Sequence, residues 1–338
     1  MKRAAILYFT ERSEATAQRI AESIRSDYEI SMYRPRGGEK QYVEPLFSVV
    51  DALIFVGACG IAVRAIAPFV KSKLTDPGVI VVDELGLQVI SLLSGHIGGA
   101  NELTRRIAAA IGAIPVITTA TDINHRFTAD EWAKNHGLSI ASMQAAKRFA
   151  AEILRKDVPV YSDFPIIGKL TGGLYRGDHG QTGLVFSCRK IEMFDDPLVL
   201  IPKILHLGIG CRRGTSKEKI RAAVLKVVEE QGIYIKAIAD VSSIDVKQDE
   251  AGLLDFCRGW KLPVRFYSAD ELQAVKGDFS ASEFVKSTVG VDNVCERAAM
   301  LSAGEHAKLI VKKTCLDGVT VAIAQEEWSC LLYTSRCV

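Results

Sequence analysis

Short apolar runs alternate with amphipathic segments along the first third of the chain, and this alternation constrains the fold more than any other feature. The runs are continuous in apolar character, which is typical of strands buried on both faces of a parallel sheet. Between them, residues 11–26, 61–70 and 102–112 have apolar side chains at helical spacing. A strand–helix alternation of this kind predicts an α/β fold with a parallel sheet. The predicted strands are 3–9, 30–33, 52–56, 79–82, 87–93 and 115–117.

The pattern of predicted strands and helices changes after residue 122 and again at residue 204. Short predicted strands and a loop rich in glycine and charge follow the first change, and a strand, a glycine turn and an amphipathic helix follow the second. We therefore predict an N-terminal parallel-sheet α/β domain (1–126), a small α+β middle region (127–203) and a C-terminal α/β domain (204–328). Residues 329–338 have no periodic pattern, and we expect a non-native or frayed tail there.

Composition excludes several classes of protein. The formal net charge of +2 argues against binding dominated by a nucleic-acid backbone, and no apolar run has the length of a membrane span. The apolar stretch at the N-terminus is too short for a signal peptide. The eight cysteines form no CxxC pair and no Cys/His pair at zinc spacing. We expect reduced thiols, a cytoplasmic location, no metal site of the protein's own and no cofactor.

Four glycine-rich or polar turns follow predicted strands, at 57–60, 83–86, 94–101 and 208–214. Ligands of open parallel sheets bind beyond the carboxyl ends of the strands, so we expect the first three turns to face one crevice. Helix N-termini and nearby arginines there favour carboxylate or phosphate groups. The candidate binding residues are Gly57, Cys59, Gly60, Arg64, Ser94, Gly95, Gly98, Gly99, Asn101, Gly208, Gly210, Cys211, Arg212, Arg213, Ser243 and Asp245.

The turn at 94–101 also contains a candidate catalytic base, His96. Glu84 and Glu102 are the carboxylates nearest to it in sequence, and we expect Glu84 to orient His96 or to share its role. A purely structural alternative is a histidine that bonds only the backbone. Cys211 is better explained as a small buried residue than as a nucleophile. No GxSxG or P-loop sequence is present, and the glycines at 208–214 miss the dinucleotide-binding spacing by one residue.

Three N-terminal segments, 57–64, 94–101 and 118–122, resemble signatures of the cobalt-precorrin-5A hydrolases of anaerobic cobalamin biosynthesis. Segments 207–214, 242–247 and 290–296 resemble the C-terminal domain of the same family. The resemblance extends over nearly the whole chain to Trp328, and the sequence after that residue departs from it. It is the combination of motifs, rather than any one of them, that is specific.

The resemblance implies a hydrolase that acts on a cobalt-bound tetrapyrrole. Water opens the ring A acetate δ-lactone, acetaldehyde leaves and cobalt-precorrin-5B remains; the cobalt arrives with the substrate. In this reaction we expect His96 and Glu84 to be catalytic and backbone amides of Gly95, Gly98 or Gly99 to stabilise the oxyanion. A cleft between the two α/β domains is the expected substrate site, and neighbouring pathway enzymes are candidate partners. The alternatives are a non-catalytic tetrapyrrole carrier and a transferase that binds a nucleotide or sugar phosphate.

Overall fold

A computed structural model describes residues 1–36, 38–72 and 75–332, and it confirms the α/β class. The chain divides into two compact units. One contains residues 1–135 together with 153–155, and the other contains 136–152 and the described residues from 156 onward. The three-domain boundaries given above stay a prediction. No helix among the described residues combines the length and the apolar character that crossing a membrane requires.

The first unit is built on a six-stranded sheet with the order β2-β1-β3-β4-β5-β6. Its strands are β1 (Lys2–Tyr8), β2 (Tyr28–Tyr33), β3 (Ala52–Val56), β4 (Gly78–Val82), β5 (Gln88–Leu93) and β6 (Ile114–Val116). Its helices are α1 (Glu11–Ile24), α2 (Lys40–Phe47), α3 (Cys59–Ile66), α4 (Ala100–Ile111), α5 (Ala120–Ile123) and α6 (Ala129–Asn135).

Both faces of this sheet are covered, which explains the continuous apolar runs. On one face, strand residues such as Ile6 and Ile54 pack in a buried cluster with Ile20 of α1 and Ile107 of α4. On the other face, the alternate strand residues pack against α2 and α3. Each buried leucine, isoleucine or phenylalanine side chain contributes roughly 1.5–3 kcal/mol of transfer free energy. The two cores therefore fix the ends of the strands, where the polar turns lie.

One pairing in the sheet is antiparallel, and it decides where those turns lie. Strand β4 is parallel to β3, but β5 runs antiparallel to β4, with Val79 opposite Leu93 and Val82 opposite Val89. Strand β6 is parallel to β5. The carboxyl ends of β5 and β6 consequently lie at the edge of the sheet where β3 and β4 begin.

The second unit contains two five-stranded sheets. One has the order β10-β8-β11-β12-β7 and the other the order β15-β14-β13-β17-β16. The strands of the former are β7 (Ser139–Ile140), β8 (Val158–Ser162), β10 (Leu174–Arg176), β11 (Thr182–Phe186) and β12 (Asp196–Ile201). Those of the latter are β13 (Leu205–Cys211), β14 (Ile238–Ile244), β15 (Val264–Tyr267), β16 (Lys308–Leu316) and β17 (Val319–Gln325). The helices are α7 (Met143–Ile153), α8 (Lys217–Glu230), α9 (Ala251–Trp260), α10 (Ala269–Ala274), α11 (Glu283–Val289) and α12 (Cys295–Ala303), with short 3₁₀ turns at Ile235–Ala237 and Asp245–Lys247.

The start of the expected tail belongs to the fold. Strand β18 (Cys330–Leu331) pairs in parallel with β9 (Ile166–Ile167), and the side chain of Cys330 is buried. Trp328 contacts Phe164 edge-on, with the ring centroids 4.9 Å apart. The expectation of a segment outside the fold therefore does not hold for residues 330 and 331. Residues 333–338 lie outside the described residues.

Candidate active site

The turns at 57–60 and 83–86 lie at one edge of the N-terminal sheet, and the turn at 94–101 lies at the opposite edge. This follows from the antiparallel pairing of β4 with β5. Gly78, the first residue of β4, accordingly lies against Gly98: a Cβ added to Gly78 would be 2.8 Å from the Gly98 carbonyl oxygen. The expectation that the first three turns face one crevice is therefore wrong.

Glu84 lies at the edge formed by the carboxyl ends of β1, β3 and β4. Its carboxylate accepts a hydrogen bond from the Thr10 hydroxyl at the N-terminus of α1, and its carbonyl accepts one from Thr16 (2.9 Å). A cavity of about 290 Å³ opens beside it, with Phe9 and Gly57 among its lining residues. Glu84 therefore does not orient His96, because the two residues occupy opposite edges of the sheet.

The partner of His96 is Asp122 on α5, at the carboxyl end of β6. His96 Nε2 lies 2.9 Å from Asp122 Oδ2, and Thr121 Oγ1 lies 3.3 Å from the same nitrogen. A carboxylate can only accept hydrogen bonds, so in neutral His96 the Nε2 atom carries the proton. The Nδ1 atom is then the basic nitrogen. It lies 3.8 Å from Asp130 Oδ1, beyond hydrogen-bonding distance.

Asp122 is held by several donors besides His96. Its Oδ2 accepts hydrogen bonds from Asn101 Nδ2 (3.0 Å) and Thr119 Oγ1 (2.6 Å), and its Oδ1 accepts one from the Arg105 guanidinium. Asn101 is itself fixed by the Ser91 hydroxyl (2.7 Å). The carboxylate has a defined orientation and holds the imidazole in one tautomer, the role that an acid plays behind a catalytic histidine.

The environment shifts the pKa values of both partners. Burial opposes ionisation of Asp122, but hydrogen bonds from His96 and Thr119 and the charge of Arg105 outweigh it, and the pKa of this carboxyl lies well below its ordinary value. Burial also lowers the pKa of His96, but the hydrogen bond with Asp122 and the charges of Asp130 and Glu131 outweigh it, so that the pKa is raised. The pair therefore stabilises the imidazolium that a general base becomes.

Glu131 on α6 completes a cluster with this pair. One ligand atom each of His96, Asp122 and Glu131 lies within 4.8 Å of the others, a spacing at which three groups can share a metal ion. However, both oxygens of Asp122 already accept hydrogen bonds from Arg105, Asn101, Thr119 and His96. A metal ion bound through Oδ2 would compete with the three donors on that atom, His96, Asn101 and Thr119. The arrangement favours proton transfer over metal binding.

The glycines of the 94–101 turn allow the backbone to fold tightly beside this pair. A Cβ on Gly95 would be 2.6 Å from Asn101 Oδ1, and one on Gly98 would be 2.3 Å from Ser94 Cβ. Gly99 has a φ of 81°, and its N–H donates to the His96 carbonyl (2.9 Å). Of the three proposed oxyanion donors, Gly99 is thus already engaged, and Gly95 and Gly98 are the better candidates.

Several C-terminal candidates have packing roles instead. A Cβ on Gly208 would be 1.7 Å from the Cys295 carbonyl oxygen, and one on Gly210 would be 2.6 Å from Thr320 Oγ1. Ser243 is buried, and its hydroxyl donates to the Ile209 carbonyl (2.7 Å). We expected a ligand to lie close to the backbone of these glycines, but helix α12 lies against Gly208 and strand β17 against Gly210. Their assignment as binding residues is not supported.

The remaining candidates lie near strand ends. Cys211 is half-buried, and burial raises the pKa of its thiol, which disfavours a nucleophile. Arg213 pairs with Asp249 (2.7 Å), whereas the exposed Arg212 side chain covers Gly318. Asp245 begins a 3₁₀ turn at the end of β14. In the first unit, Cys59 is the first residue of α3, and the guanidinium of exposed Arg64 lies near Gly60.

Sequence reasoning missed Asp122 and Glu131 as site residues. Asp122 lies 26 residues from His96, and the search for a partner was confined to nearby carboxylates. A usable signal was present, because the polar segment 118–122 directly follows the strand after the one that precedes His96. Parallel neighbours have their carboxyl ends at one edge of a sheet, which brings such segments together.

The fold and the site define an α/β protein with a half-buried histidine paired to a buried aspartate at a sheet edge, an arrangement suited to hydrolysis. Family models described as the N-terminal region and the C-terminus of cobalamin synthesis protein G match residues 41–122 and 205–324. The cobalt-precorrin-5A hydrolase of Salmonella typhimurium is 34% identical over 302 residues, 85% of each chain. That of Priestia megaterium is 32% identical over 308 residues, 85% of this chain and 82% of the relative. The chain belongs to the cobalt-precorrin-5A hydrolase family.

A solved structure also resembles part of the chain. CobE, a protein from the cobalamin (vitamin B12) biosynthetic pathway, is 33% identical, with a TM-score of 0.35. The match covers 37% of this chain and 92% of that one.

Proposed function

We propose that this protein hydrolyses cobalt-precorrin-5A in cobalamin biosynthesis, opening the ring A acetate δ-lactone and releasing acetaldehyde. The observation that carries the proposal is the extended similarity to relatives that bear this name, which covers 85% of the chain. The cobalt belongs to the substrate, and the protein needs no cofactor of its own. The reaction takes place in the cytoplasm.

His96 is the general base in this proposal. Its Nδ1 atom takes a proton from water as the oxygen attacks the lactone carbonyl, while Asp122 holds Nε2–H and stabilises the imidazolium. The amides of Gly95 and Gly98 are the proposed donors to the oxyanion. Glu84 has no part in this step, because it lies at the other edge of the sheet.

The experiment that tests the proposal is incubation of the purified protein with cobalt-precorrin-5A, with acetaldehyde trapped and quantified. We expect one equivalent of acetaldehyde per substrate consumed. Tight binding of the tetrapyrrole without any acetaldehyde would indicate a carrier instead. Thermal stabilisation by nucleotides but not by tetrapyrroles would indicate the transferase alternative.

A further inference from the structure

We propose that Glu131 is a second catalytic residue, which donates a proton to the oxygen that leaves the lactone and then recovers it for carbon–carbon cleavage. This inference rests on the proposed function. It concerns a part of the reaction that His96 does not address, namely the fate of the alkoxide. A base activates water, and the tetrahedral intermediate collapses to an acid and an alcohol faster when an acid protonates the departing oxygen.

Position is the first support for this role. Glu131 lies in the first turn of α6, and its carboxylate is within 4.8 Å of the ligand atoms of His96 and Asp122. Thr128 Oγ1 donates to Glu131 Oε2 (3.1 Å), and the Glu131 amide donates to Asp130 Oδ1 (3.0 Å). One oxygen is thus oriented by the side chain three residues before it. Lys134, one turn later, donates to the Ile97 carbonyl and fastens the helix to the turn that contains His96.

The charged groups around Glu131 are the second support. His96 faces it from the 94–101 turn, Asp122 from α5 and Arg105 from α4, and Asp130 precedes it on its own helix. Burial raises the pKa of Glu131, and the charge of Asp122 adds to this effect. Attraction to His96 and Arg105 and the hydrogen bond from Thr128 oppose it without cancelling it.

The pKa values of the two carboxyl groups in the cluster are consequently shifted in opposite directions: that of Asp122 is lowered and that of Glu131 is raised. Asp122 is held ionised, and Glu131 is biased toward its neutral, proton-donating form. Neighbouring carboxyl groups with pKa values moved apart are the usual arrangement of an enzyme that needs an ionised and a protonated acid together. Asp122 supports the base, and Glu131 is available as the acid.

The proton balance closes over the two steps. In the first, His96 takes a proton from the attacking water, the bond from the acyl carbon to the ring oxygen breaks, and the Glu131 carboxyl protonates that oxygen. In the second, the Glu131 carboxylate removes the same proton. The freed electron pair forms the carbonyl of acetaldehyde, the carbon–carbon bond breaks and its electrons enter the tetrapyrrole. Glu131 ends protonated, as it began, and the His96 imidazolium returns to its neutral form by releasing its proton to solvent.

The test compares Glu131→Gln with Glu22→Gln, a control that makes the same change at an exposed position on α1. We expect kcat for acetaldehyde release to fall about 10²- to 10³-fold in the first variant and to be unchanged in the second. The alkaline limb of the pH profile should disappear in Glu131→Gln, while the acid limb due to His96 remains. A Glu131→Asp variant should recover part of the rate.

A second measurement needs no substrate and separates this inference from the proposed function. Carboxyl-labelled glutamate in the wild-type protein should show, by NMR titration, a Glu131 signal that titrates above the ordinary value of about 4.3. Glu131→Gln identifies the signal. A Glu131 titration at or below that value, or a Glu131→Gln variant with wild-type kcat and a wild-type alkaline limb, would overturn the inference. Absence of acetaldehyde from the wild type would instead overturn the proposed function.

Discussion

His96 is a half-buried imidazole with a fixed partner, and its pKa depends on Asp122. The carboxylate stabilises the imidazolium, and burial of the ring works against it. Replacing Asp122 by asparagine removes the charge, so that the pKa of His96 should fall. The acid limb of the kcat profile should therefore move to lower pH.

Asp122→Asn should also reduce kcat about 10²- to 10⁴-fold, because the amide no longer fixes the reactive tautomer. The measurement is acetaldehyde release between pH 5 and pH 9, read out as kcat. An acid limb that stays in place in this variant would show that His96 is not the titrating base.

The same ion pair should make the stability of the protein depend on pH. The pKa of His96 is raised on folding, so its stabilising effect is complete below the ordinary histidine value of about 6.5 and is lost as pH rises through the folded-state value. We expect the free energy of unfolding of the wild type to exceed that of His96→Gln by more at pH 6 than at pH 9. Urea unfolding of both proteins at the two pH values measures this, and an equal difference would contradict it.

At the scale of elements, the 94–101 turn shows what a sequence can and cannot specify. The strand Gln88–Leu93 and the helix Ala100–Ile111 were predictable, because apolar runs and helical spacing mark them. The direction of β5 was predictable too, although it was missed: only residues 83–86 separate the predicted strands 79–82 and 87–93, too few for the crossover that a parallel pair requires. That single direction separates Glu84 from His96. It also explains why Glu84 was the wrong choice of partner for His96.

Two adjacent glycines in this turn should respond differently to alanine. Gly98→Ala places a methyl group 2.3 Å from Ser94 Cβ and 2.5 Å from the Ser94 carbonyl oxygen, and should cost about 2 kcal/mol or more. Gly99→Ala meets open space, and only its φ of 81° opposes it, a cost of about 1 kcal/mol. Thermal unfolding of the two variants tests this order, and a larger loss for Gly99→Ala would contradict the described packing.

Across the whole molecule, glycine-rich turns with similar sequences have different structural roles. Glycine turns occur in both units. Gly208 lets helix α12 pack closely against its sheet, because a side chain there would meet the Cys295 carbonyl. Gly95 and Gly98 instead allow the tight turn beside the acid–base cluster. The sequence motifs and the apolar pattern were therefore sufficient to predict the family and most of the helices and strands. They could not assign function to individual glycines, because close backbone approach serves packing and ligand binding equally.

We propose that catalysis takes place at the sheet edge of His96 and Asp122 rather than at the edge of Glu84. The most direct test is acetaldehyde release from cobalt-precorrin-5A by His96→Ala and Glu84→Gln, measured as kcat beside the wild type, with folding checked by thermal unfolding. We predict a loss of at least about 10²-fold for His96→Ala and a rate within about twofold of wild type for Glu84→Gln. A folded His96→Ala enzyme with wild-type kcat, or an inactive but folded Glu84→Gln enzyme, would contradict the claim.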